Sequence, residues 1–199
     1  MGNKLGLSSE DEAVLLYGLE IVFSSSISFL LAIVLGIIFK VLAEVLMVII
    51  AWFCLRQFAG GAHCSSMWRC ALTSSLVPAL LGLLAGWLSR YLQKNFILYL
   101  FALIFIAAIF ITLRLAPADN PQKPVRSSRR RRRFRNLALA AELLLAILLL
   151  GAEMLAPGKY TSLVLAGALA VGVETFFLTP AGYRVMSRID IFWGTLKVK

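Results

Sequence analysis

The sequence predicts an all-α polytopic membrane protein, with six transmembrane helices preceded by an N-terminal amphipathic helix lying at the interface. Three observations carry this. The chain is 60% hydrophobic with a mean hydropathy of +0.87, whereas soluble domains run at roughly 45–50% apolar. Its 199 residues have room for about six spans of ~20 residues each, in one compact membrane domain covering residues 1–199. The net charge of +10 gathers into a few interruptions between oily runs, as it does in the cytoplasmic loops of membrane proteins.

The elements follow in order. Residues 8–20 form the interfacial helix: Ser8 or Ser9 caps it, Glu10, Asp11 and Glu12 occupy the first turn, and Val14, Leu15, Leu16 and Leu19 supply the apolar face. Acids in a first turn interact favourably with the helix dipole. Six apolar segments come next, over 21–39, 45–59, 71–89, 96–115, 137–156 and 160–178. Lys40 and Glu44 mark a tight turn between the first two. Arg90, Gln93, Lys94 and Asn95 separate the third from the fourth, and Pro157-Gly158-Lys159 separates the fifth from the sixth. No internal repeat is visible. The acidic start, with no small-residue cleavage site before the first span, argues against a cleavable signal peptide.

Counting basic residues sets the orientation. With both termini inside, the inner face holds Lys4, Arg56, Arg69, the nine from Arg114 to Arg135, Arg184, Arg188, Lys197 and Lys199, while Lys40, Arg90, Lys94 and Lys159 lie outside. That distribution follows the positive-inside rule. It puts the segment after the second span, RQFAGGAHCSSMWRC (56–70), in the cytosol.

This segment holds the single histidine, His63, and two of the three cysteines, Cys64 and Cys70; Cys54 lies in the second span. Three clustered cysteines do not make a disulfide framework and fit a reducing compartment or a reactive thiol. A cysteine attacks as thiolate, and a nearby histidine can take its proton and return it to a leaving amine. On one continuous helix, seven residues would separate His63 and Cys70 by about 10.5 Å, beyond hydrogen-bond reach. Chemistry therefore requires a break, which Gly60-Gly61 permits and which Ser65 or Ser66 can close by capping a new helix. The helix terminus and the charges of Arg56 and Arg69 would favour the thiolate. Two other readings stand beside this one: an interfacial histidine with small core cysteines, and a zinc site from Cys54, His63, Cys64 and Cys70. Adjacent His63-Cys64 and the lack of a C-x-x-C pair disfavour zinc, and no metal or cofactor is expected.

The pattern Arg56-x-x-x-Gly60-Gly61-x-His63-x6-Cys70 resembles the active-site motif of the accessory gene regulator B (AgrB) family, membrane cysteine endopeptidases of Gram-positive quorum sensing. APADNPQKPV, residues 116–125, resembles that family's loop after the fourth span. The resemblance implies that Cys70 is the nucleophile and His63 its base, with Arg56, Gly60 and Gly61 supporting the site and Cys64 structural. It also implies an AgrD-like precursor peptide with an acidic C-terminal tail as substrate, a thioester acyl-enzyme, a thiolactone or lactone product, and a homodimer. Glu44, Glu142, Glu153, Glu174 and Asp119 are candidates to orient His63 or to pair with arginines; Glu174 lies deepest in its span.

The run RSSRRRRRFR (126–135), with Arg129, Arg130, Arg131, Arg132 and Arg133 at its centre, is expected to anchor topology against anionic lipids, to capture the acidic tail, or both. Nucleic acid is not an expected partner, because aromatics are not interleaved and the run is tethered between spans. The rival function is a non-enzymatic membrane peptide exporter or transporter accessory subunit, with which the intramembrane acids and the glycine-rich sixth span are compatible.

Overall fold

In a computed structural model, residues 9–62, 64–118 and 127–195 are described. Among these residues seven helices follow one another: α1 (Ser9–Ile38), α2 (Leu42–Ala59), α3 (Met67–Tyr91), α4 (Lys94–Leu115), α5 (Ser128–Leu155), α6 (Thr161–Phe176) and α7 (Pro180–Thr195). No strand occurs among the described residues.

By length and composition, α2, α3, α4 and α5 qualify as membrane spans, and α6 with α7 would make a fifth if that pair, bent by 91°, were counted as one. The apolar part of α1 is Val22–Ile38, and α6 has 16 residues, both shorter than a full span of about 20. Large apolar side chains cover the outside, among them Phe23, Leu30, Ile37, Leu103, Ile106 and Ile147. That surface suits lipid rather than water.

Two element boundaries differ from the sequence reading. The interfacial helix expected over 8–20 is not a separate element: α1 runs unbroken from Ser9, because no proline intervenes and Gly18 meets no neighbour that would bend the chain. Residues 128–135 of the arginine run, expected between spans, form the first two turns of α5. Arginine is a good helix former, although its charge at this end opposes the dipole.

The core is organised around α6, which packs against α2, α3, α4 and α5, while α1 lies against α3 and α2. Small residues make this possible. A Cβ on Gly167 would meet Leu149 Cδ1 at 2.5 Å, and one on Gly82 would meet the Val45 backbone nitrogen at 2.9 Å. The small-residue patches at 82–86 and 165–172 thus let α3 approach α2 and α6 approach α5 within one chain. Buried acids tie the helices together: Thr112 donates to Glu142 at 2.5 Å. Glu153 accepts from the Gly158 N–H at 2.8 Å and the Thr161 hydroxyl at 3.0 Å, and pairs with Lys94 at 3.1 Å. Glu153 therefore fixes the α5–α6 turn against the start of α4.

The break between α6 and α7 is written locally. Thr179 accepts the Gly182 N–H at 3.1 Å through its hydroxyl, and Pro180 takes the first helical position, where its missing N–H costs nothing. A Cβ on Gly182 would fall 2.2 Å from the Phe176 carbonyl oxygen, so only glycine lets the chain fold back this tightly.

Candidate active site

The site is built where α2 ends. Gly60 (φ +73°) and Gly61 (φ +132°) hold backbone angles that other residues rarely adopt, and both are closely overlaid. A Cβ on Gly60 would meet the Ala118 carbonyl oxygen at 2.9 Å, and one on Gly61 would meet Arg56 Nη1 at 2.6 Å. The turn therefore needs glycine for its dihedral angles and for space.

Arg56 organises this turn from the last turn of α2. Its Nη1 donates to both oxygens of Glu174 at 3.3 Å, and its Nη2 donates to the Ala62 carbonyl. The Ala62 N–H in turn donates to the Phe177 carbonyl at 3.3 Å. Glu174 is fully buried and Arg56 largely so. A buried ion pair of this kind draws little net stability from its charges, but losing one partner leaves the other stranded. Of the acids singled out in the sequence that lie among the described residues, Glu174 is the one that meets the motif.

The second resembling stretch begins beside the first. The Ala118 N–H donates to the Ala59 carbonyl at 2.8 Å, and Ala59, Ala116 and Leu178 share an apolar cluster with Phe58 and Ala118. Residues 119–126, including Asp119, lie outside the described residues, as does His63.

Cys64, Ser65 and Ser66 are irregular, and α3 starts at Met67. The Cys70 N–H donates to the Ser66 carbonyl at 3.0 Å, which places Cys70 at the close of the first turn of a helix starting beyond the glycines. The break that the chemistry requires is present. Cys64 lies 3.8 Å from Thr73 Oγ1 and 3.6 Å from Met186 Sδ. The neighbouring Cys70 side chain, followed by burial, pushes the Cys64 thiol far up from its ordinary range, with Thr73 acting the other way. Cys54 is exposed on α2.

The electrostatics differ from the sequence reading in one respect. Arg56 and Arg69 were both expected to lend positive charge to the thiolate, yet each is paired with an acid, Arg56 with Glu174 and Arg69 with Asp190 at 3.5 Å. Two ion pairs project a much weaker field than two free cations. Burial disfavours the charged form of Asp190, but hydrogen bonds from Ser65 and the charge of Arg69 outweigh it and hold this carboxyl below its ordinary range.

The arginine run divides in two. Arg131 donates to the Pro117 carbonyl at 3.3 Å, beside the glycine turn. Arg129, Arg130, Arg132 and Arg133 line an open groove of about 650 Å³ together with Ser127 and Asn136.

Sequence reasoning missed α7 and its residues. Thr179-Pro180 was a readable helix start. Met186, Asp190 and Trp193 at i, i+4 and i+7 were a readable face.

Comparison with known proteins gives a consistent picture. The family model described as "Accessory gene regulator B" matches residues 1–178. A Clostridium perfringens (strain SM101 / Type A) protein named as AgrB-like is 25% identical over 205 residues, covering 98% of this chain and 94% of that protein. A second AgrB-like protein, from C. perfringens (strain 13 / Type A), is 27% identical over 141 residues, 70% of this chain and 65% of that protein. No solved structure matches.

Proposed function

Because the chain belongs to the accessory gene regulator B family, we propose that it is a membrane-embedded cysteine endopeptidase that trims a quorum-sensing precursor peptide. The observation that carries the proposal is the helix break at Gly60-Gly61. It ends α2 before residue 63, and a new helix starts at Met67 with Cys70 closing its first turn. Cys70 therefore does not continue the helix of α2; one unbroken helix would hold positions 63 and 70 two turns apart.

In this reading His63 takes the proton of the Cys70 thiol, and the thiolate attacks the carbonyl of the peptide bond before the acidic tail. The tetrahedral intermediate collapses to a thioester on Cys70, and the proton held by His63 passes to the departing amine of the tail. An internal cysteine or serine of the precursor then attacks the thioester. The product is a thiolactone or lactone ring, and Cys70 returns as a thiol. Hydrolysis would discard the acyl-transfer potential, so a site sunk at the membrane surface, poor in water, favours cyclisation. The Arg56–Glu174 pair serves by fixing the turn before His63.

The membrane reading completes the proposal. Helices α1 to α6 each cross once, both termini and the 60–66 loop face the cytoplasm, and α7 lies along the cytoplasmic surface. The distribution of basic residues supports this orientation. Arg129, Arg130, Arg132 and Arg133 are open to anionic headgroups or to the acidic tail of an AgrD-like precursor. A homodimer is part of the same proposal.

The test is mass spectrometry of a precursor peptide co-expressed with the unaltered chain, Cys70→Ala or His63→Ala. Tail loss with the unaltered chain alone supports the peptidase. Equal processing by all three, with membrane expression verified, removes it and favours an exporter.

A further inference from the structure

We propose that α7 is a clamp on the turn that carries Cys70, and that Asp190 is its positioning residue. The consequence for activity rests on the peptidase reading; the seating of α7 does not. This helix lies beyond the family match, which ends at residue 178.

Three residues on one face of α7 reach the start of α3. Asp190 accepts from the Ser65 N–H at 3.1 Å, from the Ser65 hydroxyl at 2.7 Å and from Arg69 at 3.5 Å. Arg69 also donates to the Asp190 backbone carbonyl at 3.3 Å and to Ser65 Oγ at 3.4 Å. One turn further along, the Trp193 indole N–H donates to Thr73 Oγ1 at 3.2 Å, while the Thr73 hydroxyl donates to the Arg69 carbonyl at 2.8 Å. One turn back, Met186 lies against Cys64.

The contacts bracket Cys70. Residues 64, 65, 69 and 73 are each held by α7, and Cys70 falls between the last two. The same α6–α7 arm holds Ala62 through the Phe177 carbonyl, so the chain neighbours of residue 63 are fixed from both sides. Stability alone does not account for this. Asp190 and Arg69 are partly exposed, and exposed ion pairs contribute little. The charged hydrogen bonds to an otherwise irregular loop define its geometry instead, and geometry is what a nucleophile needs: a misplacement of 1 Å costs on the order of 10²-fold in rate.

Two measurements on the full chain in detergent micelles test the clamp. In a Cys54→Ala/Cys70→Ala background, N-ethylmaleimide labels Cys64, which is covered by Met186. Asp190→Ala should speed that labelling about tenfold, the shift that losing one charge-assisted hydrogen bond permits. Asp190→Asn, which keeps an oxygen for the Ser65 N–H, should stay within about twofold of the parent on the same grounds. In the chain with its cysteines intact, acting on a precursor peptide ending in an acidic tail, Asp190→Ala should lower kcat about tenfold or more. KM should stay within about twofold, with Asp190→Asn restoring most of the rate. Equal Cys64 labelling in Asp190→Ala and the parent overturns the clamp, as does faster labelling with an unchanged kcat. If Cys70→Ala releases the tail as well as the unaltered chain, the peptidase reading fails, and the labelling ratio still decides whether α7 is seated through Asp190.

Discussion

Arg56 and Arg69 flank the same loop, and each meets an acid from the α6–α7 arm, yet the two pairs sit in different surroundings. Arg56–Glu174 is closed inside the helix bundle, with the carboxylate fully buried; Arg69–Asp190 lies at the surface, partly open to solvent. Burial sets what each can do. The inner pair cannot be broken without stranding a charge, so it fixes the glycine turn permanently. The outer pair can open at little cost and acts through geometry. The segment between Arg56 and Arg69 is thus held by one rigid contact and one yielding contact.

The largest effect should come from breaking the inner pair. Glu174→Ala is expected to cost about 3–5 kcal/mol in stability, because Arg56 loses its counter-charge. Thermal unfolding in detergent reads this, and processing should disappear with it. The double variant Arg56→Ala/Glu174→Ala should cost clearly less than the sum of the two single ones.

A second comparison sharpens the role of the turn. Gly61 and Gly158 both have positive φ, but a Cβ meets Arg56 at 2.6 Å in the first case and nothing within 4 Å in the second. Gly61→Ala should therefore cost about 1–3 kcal/mol and abolish processing through its push on Arg56. Gly158→Ala should cost about 1 kcal/mol and leave processing intact. Equal activity losses in the two variants would remove the argument from crowding.

The outer pair comes third. Asp190→Ala should lower overall stability by less than about 1 kcal/mol while slowing tail release as described above, a separation that the inner pair cannot show. The smallest effect belongs to the arginine groove. Neutralising one residue, as in Arg132→Gln, should weaken binding to anionic vesicles by about 1 kcal/mol or less, and the difference should vanish at 1 M salt, where charges are screened beyond ~3 Å.

The sequence made some of this legible and concealed the rest for physical reasons. Long apolar runs fix helices whatever their partners, so α2, α3, α4, α6 and the end of α5 fall close to their expected limits. The break at Gly60-Gly61 was readable because glycine pairs punctuate a chain. The start of α5 is hidden because charge density masks helix propensity: arginine is a good helix former, and Ser128–Arg135 is helical although outside the apolar run. The partner of Arg56 stayed open, since Glu174 is 118 residues away and spacing says nothing about contacts between distant helices. Helix α7 was missed although Thr179-Pro180 announced it, because hydropathy, the signal that located the spans, is weak where a helix carries Arg184, Arg188 and Asp190.

The central claim is that Cys70 and His63 process a peptide at the loop which the glycine turn creates. Its most direct test is trapping the acyl-enzyme: the unaltered chain, mixed with a precursor peptide and quenched in acid, should show by intact mass a thioester adduct that maps to Cys70 and is released by hydroxylamine. The adduct should be missing from Cys70→Ala and strongly reduced in His63→Ala. A precursor that loses its tail with no adduct on Cys70, or an adduct that persists in Cys70→Ala, would contradict the account.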